Sequence, residues 1–297
     1  MTLGKSASTA VVALGAPDVP GLSAALAAGG SAYGGTLPLS TAGSTLDPAV
    51  IDPVLERVAL LLASHETVIA VYPTASAVRA EAVLSTVRAL LDTVAVAAAA
   101  SRLGPIGMST LAAVLAQLAD TGEVAAGSLV AASAWVESRL LSVAWLPTVT
   151  GLDLPGLSMV DHLRSYLPKS AFAVLMSPER RLIRLRGRAA GIELPSLLGL
   201  RPVVVVGGAA APPWVTSGLL PKLNPSAVLS AGPGSEVTAW WGTPRAIEVA
   251  ATATDVTAWV IELGARYPAG PCRWCGLWVN GSACPFCDFV ERMNPTR

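Results

Sequence analysis

The stretch from Val68 to Ala98 constrains the fold more than any other part of the chain. Val68–Tyr72 is a strand-like run that Pro73-Thr74 ends, Ser76–Leu91 follows, and Thr93–Ala98 is strand-like again. In the middle segment Val78, Val83, Leu84, Val87, Leu90 and Leu91 are apolar while Arg79, Glu81 and Arg88 are not. That is the spacing of a helix with one wet face. Strand, helix and strand in this order make a βαβ unit, whose strands run parallel.

The same alternation recurs. Thr9–Leu14 reads as a strand, followed by an Ala/Leu stretch from Leu22 to Ala28. A helix is expected near Ala49–Ala63, and two more at Met108–Leu118 and Val124–Leu140. Strand-like runs lie at Ser142–Leu146, Ala171–Met176, Leu182–Leu185, Val203–Val206, Ala227–Ser230, Val237–Trp241 and Ala246–Ala250, with helical stretches at Ser158–Tyr166 and Asp255–Ala265. Gly29–Pro48 is so rich in Gly, Ser, Thr and Pro that it reads as a long surface loop. Val11–Gly15 and Val203–Gly207 are alike, which suggests two related halves. The expectation is an α/β protein with a mixed or mostly parallel sheet and flanking helices. It divides into an Ala-rich region 1–150, a continuing α/β region 151–266, and a linker with a cysteine-bearing tail at 267–297.

Mean hydropathy is +0.58, which raises the question of membrane spans. A spanning helix needs about 20 apolar residues with few or no charges. Val54–Tyr72 contains Glu56, Arg57, His65 and Glu66, Ala82–Ala100 contains Arg88 and Asp92, and Val124–Leu146 contains Glu137 and Arg139. Leu198–Leu220 carries Arg201, two glycines and Pro212-Pro213. Each is read as a core element whose charges face outward, so no membrane span is expected. The 20 basic and 20 acidic side chains cancel. This balance excludes a globally basic nucleic-acid binder, and the 53% hydrophobic content excludes a disordered chain. Seventeen arginines against three lysines, with abundant Ala and Gly, point to a GC-rich bacterial coding bias.

All four cysteines lie in the tail, as Cys272-Arg-Trp-Cys275 and Cys284-Pro-Phe-Cys287. Two residues between cysteines let one tight turn present both sulfurs to one ion, and four thiolates suit tetrahedral zinc. Two such pairs also suit a reducing, cytoplasmic compartment. Asn280-Gly281 between the pairs is a strong signal for a type I′ hairpin turn.

This C-x2-C-x8-C-x2-C segment resembles a short four-cysteine zinc ribbon, of the kind appended to many bacterial and archaeal proteins. Cys272-Arg-Trp-Cys275-Gly276 matches its first knuckle and Cys284-Pro285-Phe286-Cys287 its second. The resemblance covers that segment alone and leaves the body unrecognised. It implies a small zinc-ribbon hairpin with Cys272, Cys275, Cys284 and Cys287 as ligands to a structural zinc. Iron is the alternative. Trp274, Trp278 and Phe286 either fill the ribbon's own core or dock it onto the main body, or they dock a partner.

Residues 180–188 read Arg-Arg-Leu-Ile-Arg-Leu-Arg-Gly-Arg. In a strand Arg180, Arg184, Arg186 and Arg188 share one face with Leu182. Segment 171–201 has net charge +4 and residues 1–100 net −3, so the basic charge is local. An anion, a nucleic acid, an acidic partner surface and a solvated edge strand all fit.

Catalytic constellations are mostly missing. There is no G-x-S-x-G elbow, Walker A sequence or full G-x-G-x-x-G. Gly207-Gly208 after Val206 and Gly232-Pro233-Gly234 after Ser230 are weak phosphate-loop candidates, and His65 and His162 read as surface or cap histidines. Trp240-Trp241 is read as placing one ring on each face of a strand. The sequence therefore suggests a non-enzymatic interaction or assembly protein with a structural zinc ribbon, joined to a protein partner or to copies of itself. Two alternatives stand beside it: a nucleic-acid-associated protein using Arg180–Arg188, and a nucleotide- or metabolite-binding α/β enzyme.

Overall fold

The computed structural model describes residues 8–26, 32–37, 39, 47–149, 171–185, 201–208, 210–232 and 234–290. Strands β1 (Thr9–Leu14), β2 (Tyr33–Leu37), β3 (Thr67–Pro73) and β4 (Val96–Ser101) form a parallel sheet, sheet A, in the order β2-β1-β3-β4. The βαβ unit expected over 68–98 is β3, α3 (Ala77–Leu90) and β4, with Ile69 opposite Ala97. Every residue of β1 and β3 is buried, because helices cover both faces. Alternate residues Val12, Val68 and Ala70 pack under α2 (Pro48–Leu62) and α3, with Val54, Val58, Val83 and Leu84. Asp47 caps α2 by accepting from the Ala49 N–H at 3.0 Å.

The other face of sheet A packs on α4 (Pro105–Asp120) and α5 (Ala126–Glu137). Fourteen of the sixteen residues of α4 are buried. A helix apolar all round is a helix buried all round. The reason is a second sheet on its far side. Sheet B contains β5 (Leu141–Leu146), β6 (Phe172–Ser177), β7 (Arg181–Arg184), β8 (Val203–Gly208), β9 (Ala227–Gly232) and β10 (Ile247–Thr252), in the order β7-β6-β5-β10-β8-β9. Its pairings are antiparallel except β8 with β9. Ala144, Val174, Val205 and Ala250 face α4 in the same core cluster as Val11 and Ile69. The outer face of sheet B is covered by Trp214, Val215 and Leu219 of a π-helical turn, Trp214–Leu219, and by Leu223 of α6 (Leu220–Leu223). Two further helices, α7 (Ser235–Trp241) and α8 (Thr257–Arg266), flank β10 in the chain.

Four expectations change. The segment 29–48 contains a strand, β2, rather than only loop. Gly34 permits it, since a Cβ there would lie 2.7 Å from Leu61 Cδ1 of α2. Val237–Trp241 is helical. Val237 and Trp241 are both buried, one turn apart on the same face, and Gly242 at φ +65° closes the helix. The two sheets do not repeat one another, because sheet A is parallel and β8 sits between an antiparallel and a parallel neighbour. Glu137 faces inward, not outward. The helix expected at Ser158–Tyr166, together with His162, Arg186 and Arg188, lies outside the described residues.

Among the described residues no helix is long and apolar enough to cross a membrane.

Candidate functional site

The cysteine tail forms two copies of one local structure, twelve residues apart. In the first, β11 (Gly270–Pro271) pairs with β12 (Trp278–Val279), the Cys272 N–H donates to the Leu277 carbonyl, and the Gly276 N–H to the Cys272 carbonyl. In the second, Ala283 bridges Val290, the Cys284 N–H donates to Phe289 and the Asp288 N–H to Cys284. Gly276 at φ +75° and Asp288 at φ +57° hold the same left-handed position. The hairpins therefore close around each cysteine pair. Asn280-Gly281 only joins them and is not a type I′ turn, because Gly281 has positive φ and Asn280 does not.

The four sulfurs lie within 4.8 Å of one another, with Cys272–Cys287 and Cys275–Cys284 each 3.7 Å apart. Four ligands at about 2.3 Å from a tetrahedral ion would be about 3.8 Å apart, so the cluster fits a metal. The Cys275 backbone N–H, aided by that of Trp274, holds the Cys272 thiol down to about 7. Burial pushes the Cys284 thiol up to about 12, and a bound cation would override that cost.

The ribbon is seated on the body. A Cβ at Gly127 of α5 would lie 2.5 Å from Val279 Cα, and Ser128 Oγ donates to the Tyr267 carbonyl at 2.7 Å. Arg88 of α3 reaches the Pro285 carbonyl at 3.5 Å and the Asp288 carboxylate at 3.6 Å. Phe286 is 1% exposed and packs in the main core cluster, so it faces the body rather than an outside partner. Trp274 is 75% exposed and stacks on Phe289, and Trp278 is 47% exposed.

A second feature lies at the carboxyl ends of the strands of sheet A. The chain leaves β1 toward β2 and leaves β3 toward β4, on opposite sides, so their loops part. Such a switch point opens a crevice that α/β proteins use for ligands. Thr74, Ser76 and Arg102 follow β3 and β4 there, with Thr74 and Arg102 exposed. Thr74 Oγ1 donates to the Ser101 carbonyl at 2.9 Å. Ser101 Oγ donates to Glu137 Oε2 at 2.9 Å, and the same oxygen accepts from the Arg102 N–H at 3.2 Å.

The amino end of α4 starts beside this crevice and runs onto sheet B. There the fully buried Glu248 of β10 accepts from the Gly107 N–H at 2.9 Å and from Trp241 Nε1 at 3.2 Å. Burial pushes its carboxyl up to about 7 against the lowering effect of those donors. A Cβ at Gly104 would lie 2.6 Å from the carboxylate. A hollow of about 800 Å³ at the opposite end of sheet A is lined by Ser8, His65, Glu66 and Asp92 and lacks a buried apolar wall. His65 caps α2 there, its Nδ1 3.2 Å from the Leu61 carbonyl.

The weak phosphate-loop candidates have other duties. A Cβ at Gly207 would lie 2.1 Å from Ile106 Cδ1 of α4, and one at Gly208, φ +115°, 2.2 Å from the Ala246 carbonyl. These glycines make room for packing, and Pro212-Pro213 follows them without N–H groups. Arg181 and Arg184 belong to β7, an edge strand of sheet B, and Arg180 is exposed in the turn before it. Sequence reasoning missed Glu137 and Glu248. Each had a signal, as a lone acid within an otherwise apolar helix or strand, and a buried acid needs partners.

No protein-family model matches the chain, and no curated protein matches it by sequence. The fold does match solved structures described as DegV family proteins. One from Corynebacterium glutamicum superposes with a TM-score of 0.53 at 14% identity, covering 84% of this chain and 97% of the other. A second, from Thermus thermophilus and described by its fatty acid binding, has a TM-score of 0.53 at 13% identity over 83% and 99%. A third, from Eubacterium eligens and loaded with heptadecanoic acid, has a TM-score of 0.51 at 11% identity over 82% and 99%.

These likenesses correct the functional expectation. The body, not the ribbon, carries a fold seen in fatty-acid-loaded proteins. The reading of an assembly protein organised around a zinc ribbon is overturned. The physical reason is that the described residues of the body build two sheets around one core, onto which the ribbon is docked.

Proposed function

We propose that the body binds a fatty acid, with the carboxylate at the carboxyl edge of sheet A. One observation carries this reading: the fold likeness to proteins described as binding fatty acids, over nearly their whole length. The crevice chemistry supports it. Ser76 and Arg102 supply hydroxyl and guanidinium donors, and a guanidinium matches a carboxylate with two parallel donors. The four cysteines would hold one structural zinc, because all four ligand positions are thiolates and none is left for water or substrate. Free thiols suit a reducing compartment, so the cytoplasm is the proposed location.

The test is extraction of the purified protein with organic solvent and mass spectrometry of the extract. Recovery of about one fatty acid per chain supports the reading. So does a rise in melting temperature when delipidated protein is reloaded with dodecanoic acid. A protein that carries no fatty acid and shows no shift would refute it.

A further inference from the structure

Glu137 is the last residue of α5 and is buried, yet among the described residues no ion pair neutralises it. Its partners are neutral and come from three directions. Oε2 accepts from Ser101 Oγ and from the Arg102 N–H, at the end of β4. Ser101 Oγ in turn accepts from the Leu103 N–H at 3.1 Å, and the Ser101 carbonyl accepts from Thr74 at the end of β3. The Glu137 backbone carbonyl accepts from Ser177 Oγ at 2.6 Å, at the end of β6 in sheet B. Glu137 thus fastens the ends of β4 and β6, and the end of β3 joins them only through Ser101. Desolvating a carboxylate is costly, and two hydrogen bonds to one oxygen offset that cost only while the Ser101–Arg102 turn keeps this shape.

We infer that Glu137 is a positioning residue for the acyl carboxylate: it locks the Ser101–Leu103 turn and so aims the Arg102 side chain into the crevice. The inference rests on the fatty-acid reading above. Arg102 is exposed and, among the described residues, has no ion-pair partner, so its guanidinium is available to a ligand anion. The negative charge of Glu137 does not help that anion. Its oxygen as an acceptor does, which separates the two effects experimentally.

The experiment uses the delipidated full chain and compares dodecanoic acid with 1-dodecanol, which has the same alkyl chain without the charge. Glu137→Ala should weaken the acid about tenfold and leave the alcohol within twofold. Glu137→Gln keeps an acceptor and loses the charge, so it should bind the acid as tightly as the wild type or more so. Arg102→Gln should weaken the acid alone. Where Glu137→Ala fails to fold, Ser101→Ala removes only the hydroxyl and should show the same selective loss. Equal loss of acid and alcohol in Glu137→Ala would reduce Glu137 to a structural role and overturn the inference. An unchanged acid affinity in Glu137→Ala or Ser101→Ala would also overturn it. If Arg102→Gln lowers acid binding and the Glu137 variants do not, the fatty-acid reading survives and this inference fails. A wild type that binds no acid refutes both.

Discussion

The Glu248 carboxylate accepts a hydrogen bond from the Gly107 backbone N–H at 2.9 Å, joining the centre of sheet B to the first turn of α4 across 141 residues of sequence. The partial positive charge of a helix amino end favours an anion there. Full burial opposes it and wins, so the group titrates near neutrality. Its ordinary value is 4.5 and its folded value about 7, so the folded chain takes up the proton more readily than the unfolded one. The stability it contributes is fully present below about pH 4.5 and is lost as pH rises through 7. The lost amount is about 3 kcal/mol. Urea midpoints should fall between pH 5 and pH 8 in the wild type, and the Glu248 contribution to that fall should vanish in Glu248→Gln. A Glu248→Gln profile that parallels the wild type would show that another group titrates.

Close approach of α4 to sheet B depends on missing side chains. Gly104→Ala would place a methyl 2.6 Å from a buried carboxylate and should cost about 1–3 kcal/mol. Gly264, in α8, is the control, since a Cβ there meets nothing within 4 Å. Gly264→Ala should be stabilising by about 0.5–1 kcal/mol, the helix-propensity difference. Chemical denaturation of the two variants checks both signs.

The ribbon should fail in two distinguishable ways. Cys275→Ser removes a ligand, and elemental analysis should show the metal content fall from about one per chain toward zero. Gly127→Val leaves the cysteines intact but drives a branched side chain into the Val279 backbone, only 2.5 Å from an added Cβ. That variant should keep its metal and expose the joint near Tyr267 to proteolysis. Retention of metal by Cys275→Ser would remove the four-thiolate assignment.

Much of the secondary structure was legible because its signals are short-ranged. The alternation in Val68–Ala98 and the ends of β1 follow from neighbours within one helical turn or a few strand residues. Val237–Trp241 misled because five residues with two tryptophans satisfy either period, and only burial of Val237 and Trp241 on one helix face decides between them. Tyr33–Leu37 was hidden by its glycines, whose purpose is visible only with Leu61 of α2 above them. Glu137 and Glu248 were noticed as charges or passed over, since each carboxylate's direction depends on a distant backbone N–H, 35 residues away for Glu137 and 141 for Glu248.

The division is sharpest in the ribbon. The two cysteine knuckles were readable directly, because the hydrogen bonds and strand pairings that shape them span at most nine residues. Their seat on α5, the burial of Phe286 and the exposure of Trp274 were not. Nor was the placement of α4 between two unlike sheets. Such contacts join segments far apart in the chain, and their formation depends on shape and burial that no local pattern of residues encodes.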